Sequence, residues 1–292
     1  MRRMSVAQAR ERFARMPFAA HLGIGSAEVA PQRAVVTLPY RQENANPGGV
    51  LHGGATASLL HLAGELAVWS DVDLAAPLVL GPVDVTIQYL SPVLGDELVA
   101  TACVLRRGRD FFFVEVTVCT PQQRLVSKGL LSYRAADYTG RPRRLLSSPE
   151  YLAAPSPATA TPLPWLDGPY MRKLRMTTLH QSPGRVRLCL PCWTPLTGAG
   201  ETLHEGVLAS LCDTAGTMAA WSLVRPQGAR GATVGMQLSY PGVPAHEAVI
   251  ADARVQYRSE ELFFATVQAF TATSRQPVAL GNVTYRLLEA PP

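Results

Sequence analysis

The sequence predicts an α+β fold built twice over: two tandem units, in each of which an antiparallel sheet covers one central helix. Three observations carry that expectation. A block starting at Leu51, LHGGATASLLHLAGELAVWS, returns at Leu203 as LHEGVLASLCDTAGTMAAWS, an offset of 152 residues. Each block is apolar and rich in small residues over the length of a helix. Each is followed by several runs of alternating, β-branched character. Between the copies, the stretch YTGRPRRLLSSPEYLAAPSPATATPLPW abandons that alternation and has the Pro, Ala, Ser and Thr content of a linker.

The elements follow in order. The opening MRRMSVAQARERFARM is basic but has no apolar core, which argues against a secretory signal, and its period suggests a surface helix. A short extended segment comes next, AVVTLPY in the first copy and RVRLCLPC in the second. The helices are expected over about 54–71 and about 206–224. The first is followed by VDVTIQYL, ELVATACVLRR, FFFVEVTVC and LVSKGLLSYR, with turns at Gly95-Asp96, Arg107-Gly108 and Thr120-Pro121. The second is followed by VGMQLSY, AVIADARVQY, LFFATVQAF and VALGNVTYR. One helix followed by a run of strands is the α+β pattern. The pairs Pro17-Phe18/Pro169-Tyr170, Arg33/Arg185, Trp69/Trp221 and Tyr133-Arg134/Tyr285-Arg286 keep the same spacing, as duplication requires. The expected domains are residues 1–137 and 168–292, joined by a linker over 138–167.

Composition bounds the function. With 47% apolar and 17% charged residues over 292 positions, the chain is a packed globular protein. The nearly uncharged run from Gly206 to Val224 contains Asp213 and reads as a buried helix, not a membrane span. Five cysteines, an odd count in mostly apolar segments, suit a reduced, cytoplasmic protein. Cys189 and Cys192 form a CxxC on a strand-like segment with no second Cys pair, so neither a metal nor a redox cofactor is expected. A net charge of +5 is compatible with an anionic small ligand. No basic run is interleaved with aromatics, so a nucleic-acid partner is not expected, nor is a membrane.

The segment Asn46-Pro-Gly-Gly-Val-Leu-His52-Gly-Gly resembles the N-x(5)-H-G-G signature of PaaI-type hotdog thioesterases, and VDVTIQYLSP over 83–92 resembles the strand that follows it in that family. The resemblance covers both repeats. It implies tandem hotdog domains, each an antiparallel sheet wrapped around a central helix, paired as an intramolecular pseudo-dimer. It also implies an acyl-CoA or other acyl-thioester substrate, no cofactor, and a possible homodimer of double-hotdog chains. In this family the site is shared across the pair. One unit gives an Asn and a backbone N–H at the HGG turn; the other gives a carboxylate nine residues after its own histidine and a hydroxyl on the next strand.

Carried over position by position, the two copies have diverged in complementary ways. The first keeps Asn46, His52 and Gly53 but has His61 at the acid position and Pro82 at the hydroxyl position. The second has Gly198 for the Asn and Glu205 for the Gly, yet keeps Asp213 and Thr233. One complete set, Asn46, Gly53, Asp213 and Thr233, is therefore expected across one interface. The reciprocal set, Gly198, Glu205, His61 and Pro82, looks dead.

The residue types suit thioester hydrolysis. A donor fixed where negative charge develops is worth about 3–4 kcal/mol. The Gly53 N–H at a helix start is such a donor, and Asn46 could add an amide. A lone carboxylate on an apolar helix is costly unless paired or used, and burial raises its pKa. Asp213 is thus expected to activate water or to attack directly, with Thr233 holding the water.

Plainer readings stand beside these. Asp213 could bridge to a strand, Asn46 could start a turn, Gly53 could serve only that turn, and Thr233 could be an ordinary strand residue. His52 suits bracing of the helix entry better than chemistry. His61 and Glu65, four apart on one helix face, could form a second acid–base pair or be a relic. Arg106, Arg107 and Arg109, or Arg141, Arg143 and Arg144, could meet phosphates, although a solvated surface accounts for them more simply. The rival functions are an acyl-CoA-binding module without catalysis and a hydratase or dehydratase.

Overall fold

The computed structural model describes residues 4–72, 78–137, 168–224, 229–242 and 246–288. The linker expected over 138–167, with Arg141, Arg143 and Arg144, lies outside them. All twelve described strands belong to one antiparallel sheet, in the order β1-β2-β4-β5-β6-β3-β9-β12-β11-β10-β8-β7. The first repeat contributes β1 (Ala27–Ala30), β2 (Arg33–Leu38), β3 (Leu78–Tyr89), β4 (Leu98–Arg107), β5 (Phe111–Cys119) and β6 (Leu125–Asp137). The second contributes β7 (Thr177–Ser182), β8 (Arg185–Leu190), β9 (Arg230–Ser239), β10 (Val249–Ser259), β11 (Leu262–Thr271) and β12 (Pro277–Leu288). The repeats meet at the seam β3–β9, where Asp84 faces Ser239 and Gln88 faces Gly235.

Helix α1 (Val6–Ala14) starts in a capping box, with the Ser5 hydroxyl accepting from the Gln8 amide and the Gln8 side chain accepting from the Ser5 amide. It buries Ala9 and Phe13, and its Arg12 guanidinium lies 4.4 Å from the Trp69 ring centroid. The central helices are α3 (Gly53–Trp69) and α5 (Glu205–Trp221). Every residue of α3 after Gly53 is buried, because the sheet covers one side and α5 another. That is why its sequence is apolar all round and shows no polar stripe.

The two helices cross on small residues. A Cβ on Gly54 would stand 2.9 Å from the Ser210 Cα, and one on Gly206 would stand 2.8 Å from the Ser58 Cα. Larger residues at either glycine would drive the helices apart. At the crossing the Ser58 and Ser210 hydroxyls lie 3.0 Å apart, and each has the Gly54 and Gly206 carbonyl oxygens at 2.8–2.9 Å as acceptors for its one hydrogen. The hydroxyls thereby tie the starts of the two helices together without leaving a buried polar group unpaired.

The structure departs from the sequence expectation in its short pieces. Strand β3 begins at Leu78 and not at Val83, and it runs through Pro82. Proline is tolerated there because the pairing with β6 slips between Pro82 and Asp84. The same slip recurs between Thr284 and Tyr285, opposite Thr233. Edge strands β1 and β7 and the six-residue helices α2 (Pro17–Leu22) and α4 (Pro169–Leu174) carry too few periods to be read from pattern. All five cysteines are free thiols, with Cys189 on β8. No helix among the described residues is long and apolar enough to cross a membrane.

Candidate active site

His52 and His204 occupy the N-cap positions of α3 and α5, with nearly identical backbone angles. In each, Nδ1 accepts the N–H of the glycine two residues on, Gly54 at 2.9 Å and Gly206 at 3.0 Å. A nitrogen that accepts carries no hydrogen, so both rings hold theirs on Nε2. The histidines therefore cap the helices. Burial pushes the His52 pKa down to about 4, so its 3.9 Å approach to Asp213 is a polar contact and not an ion pair.

At the first interface α5 delivers Asp213 from the second repeat to the start of α3 in the first. Asp213 is 1% exposed. Its Oδ1 accepts from Thr233 Oγ1 at 2.8 Å. Burial pushes its pKa up to about 6, against the opposing pull of the Thr233 hydroxyl and, less strongly, of the nearby Gly54 backbone. Gly53 lies against it: a Cβ there would stand 2.8 Å from Oδ2. As the first helical residue, Gly53 has an N–H with no acceptor inside the helix. His52, Gly53, Asp213 and Thr233 are thus brought together.

Asn46 stands on the loop before them. Its backbone N–H donates to the Val50 carbonyl (2.8 Å) and its backbone carbonyl accepts from the Gly49 N–H (2.9 Å), which closes the turn. No side-chain hydrogen bond links Asn46 to Asp213 among the described residues. Gly198 repeats the turn in the second copy, donating to Thr202 at 2.9 Å.

The reciprocal interface has different chemistry. His61, at the acid position, is fully buried, and its Nε2 meets the Tyr240 hydroxyl at 3.0 Å. Burial first, and then nearby His204, push its pKa down to about 3. Glu65 does not pair with His61; its Oε2 lies 3.2 Å from His204 Nε2, across the repeats. Glu205 projects where Gly53 stands in the first copy, with Oε2 3.9 Å from the same nitrogen. A cleft of about 190 Å³ opens here between Pro82 and Tyr240. It lies on the side without the aspartate, so its volume does not mark the chemistry.

Tyr170 and Tyr89 also belong to the first interface, and sequence reasoning gave neither a role. The Tyr170 ring packs on His52 (centroids 4.7 Å apart) while its hydroxyl meets Ser210 at 3.0 Å. Its counterpart Phe18 packs on His204 at 5.2 Å without a hydroxyl. The pair Pro17-Phe18/Pro169-Tyr170 was the available signal. The Tyr89 hydroxyl approaches the Gly53 carbonyl at 3.4 Å, and burial, then Asp213, raise its pKa. Of the arginines, Arg107 is not a solvated side chain: it binds Asp71 at 2.8 Å, and so braces the sheet. Arg106 and Arg109 are exposed.

Comparison with known proteins follows the same division of the chain. The family model described as "Thioesterase superfamily" matches residues 48–127 and again 200–278. A candidate esterase of Halobacterium salinarum is 33% identical over 103 residues, 34% of this chain and 68% of that protein. Human acyl-coenzyme A thioesterase 13 is 36% identical over 88 residues, 30% of this chain and 61% of that protein. The match therefore spans under two thirds of the human relative's length. Among solved structures, a hot dog fold protein of Alicyclobacillus acidocaldarius covers 91% of this chain and 97% of its own, with a TM-score of 0.65 and 16% identity. Acyl-CoA thioesterase II of Mycobacterium marinum covers 94% of this chain and 98% of its own, with a TM-score of 0.63 and 16% identity. At such identities the likeness is one of fold.

Proposed function

The chain belongs to the thioesterase superfamily, and from that premise we propose that it hydrolyses acyl thioesters such as acyl-CoA at one composite site between its two hotdog repeats. The observation that carries the reading is the buried Asp213 carboxylate of one repeat, held by Thr233 and set against Gly53 at the helix start of the other. A pKa near 6 leaves this carboxylate ionised at neutral pH yet basic enough to take a proton.

In this reading the thioester carbonyl oxygen points at the Gly53 N–H, where the dipole of α3 favours developing negative charge. Asn46 supplies a second amide. Water attacks the carbonyl carbon as Asp213 takes its proton. The tetrahedral intermediate collapses, the carbon–sulfur bond breaks, and the proton passes to the thiolate, giving carboxylic acid and thiol. Direct attack by Asp213 would instead give a mixed anhydride that water then opens. His52 orients the turn through its bond to Gly54 and stays neutral. The domain division at 138–167 leaves each repeat whole, and fusion permits the two interfaces to differ.

The test is thiol release from a panel of acyl-CoAs by wild type and Asp213→Asn. Wild-type turnover, with a loss of about 100-fold or more in the variant, is the expected result. Full activity in Asp213→Asn overturns the site. Saturable acyl-CoA binding without thiol release by wild type indicates the binding module instead.

A further inference from the structure

The second interface is not simply an emptied copy of the first. Three ionisable side chains converge on it: His204, Glu205 and, from the other repeat, Glu65. Their polar atoms all lie within 4.8 Å of one another. His204 is 1% exposed and Glu65 8%. The hydrogen of His204 is fixed on Nε2, because Nδ1 accepts from Gly206. The ring therefore presents Glu65 and Glu205 with a donor, not with a lone pair for a cation. It supplies one hydrogen to two carboxylates. Two carboxylates this close, one buried and one largely so, do not both ionise freely.

We propose that this interface is a proton-operated latch, in which Glu205 holds a proton while the repeats are tightly closed against Glu65 and His204, and its ionisation loosens that closure. Among the described residues, the other titratable groups that face it are His61 on α3, Tyr133 on β6 and Tyr240 beyond β9. Tyr133 donates to the His61 carbonyl at 3.2 Å, and Tyr240 meets His61 Nε2. None of these offers Glu205 a positive charge at neutral pH.

The electrostatics agree. Burial, with Glu65 adding to it and His204 opposing it, pushes the Glu205 carboxyl up to about 7. His204 is also shifted upward: burial lowers it, but Glu205 and Glu65 outweigh that. The two shifts compete for one proton. The Gly206 bond decides the matter, because a second hydrogen on the ring would have to sit on Nδ1 and break the helix cap. The proton therefore resides on Glu205. Its folded pKa exceeds its unfolded value, so its contribution to stability is fully present below pH 4.5 and is lost as pH rises through about 7.

Sequence position gives the latch its place. Glu205 stands where the first copy has Gly53, at the first position of helix α5, with its carboxylate 3.9 Å from His204 Nε2. The latch does not depend on the role given to Asp213, because both measurements below are made without substrate.

Thermal unfolding of full-length wild type, Glu205→Gln and Glu65→Gln from pH 5 to pH 9 tests it. The wild-type midpoint should fall relative to Glu205→Gln by roughly 3 °C or more, centred near pH 7. In Glu65→Gln the fall should move to lower pH, because loss of the neighbouring carboxylate makes Glu205 easier to ionise; a fall that stays in place or moves to higher pH overturns the latch. Parallel curves for wild type and Glu205→Gln overturn the latch. Carbon-13 NMR of glutamate-labelled wild type keeps the test independent of variant folding. One glutamate carboxyl titrating near pH 7 supports the latch, and all glutamates titrating below about pH 5.5 overturn it.

Discussion

Gly53 and Asp213, 160 positions apart in the chain, approach so closely that a single Cβ on Gly53 would stand 2.8 Å from the aspartate Oδ2. The contact joins the start of one repeat's helix to the middle of the other's. It sets Oδ2 of the carboxylate against the first residue of helix α3 while Thr233 holds Oδ1.

Gly53→Ala should therefore separate activity from stability. Alanine is the better helix former by about 1 kcal/mol, which offsets the cost of moving a carboxylate tip. Thermal unfolding should change little, while thiol release falls about 10-fold or more because Asp213 is displaced. An unchanged rate would show that the close approach has no catalytic consequence.

Thr233→Val removes a hydrogen bond that holds the Asp213 carboxyl down and leaves its burial in place. Its pKa should climb above about 6, so the acid limb of the pH–rate profile should move to higher pH. Turnover at pH 7 should fall, and part of it should return at pH 8 to 9. A limb that stays where it was in wild type counts against Asp213 as the titrating base.

Asp213→Asn should be more stable than wild type in mild base. The folded pKa of Asp213 lies above its ordinary 3.8, so its contribution is present below that value and lost as pH rises through about 6. Above that range the charged form costs the fold on the order of 3 kcal/mol. Urea unfolding at pH 5 and pH 8 reads this directly: the variant should gain on wild type between the two.

Tyr170→Phe gives the first interface the ring that Phe18 gives the second. Ser210 keeps its bonds to Ser58, Gly54 and Gly206, so stability should fall by only about 1 kcal/mol. Turnover should fall several-fold, because the Tyr170 ring and hydroxyl bridge His52 to the helix that carries Asp213. A rate equal to wild type would leave Tyr170 a packing residue.

Gly281→Ala tests the sheet away from either site. A Cβ on Gly281 would fall 1.8 Å from the Gln237 carbonyl oxygen, where β12 pairs with β9 beside the seam. Backbone cannot yield as a side-chain tip does, so a loss of about 3 kcal/mol or more is expected in urea unfolding.

Much of this was legible in the sequence because it rests on short-range pattern. The helices Gly53–Trp69 and Glu205–Trp221 declared themselves through repeated small and apolar residues, and most strands through alternation. Asp213 stood out as one charge in an apolar helix. The complementary divergence of the copies could be read once their positions were matched. Strands β1 and β7 escaped because four and six residues on a sheet edge hold too little periodic signal.

The sequence by itself determined that there are two units, which residues form their helices and strands, and that only one copy retains the aspartate. The tertiary structure decided which atoms meet. His61 and Glu65 share a helix face and invited pairing, yet the fold sends one to Tyr240 and the other to His204, 139 residues away. Glu205 looked like the loss of a glycine; the fold places it with two other buried ionisable groups. Local pattern fixes a side chain's direction from its own helix. What waits in that direction depends on how α3 and α5 cross, and that is set by Gly54 and Gly206 packing on serines of the opposite repeat.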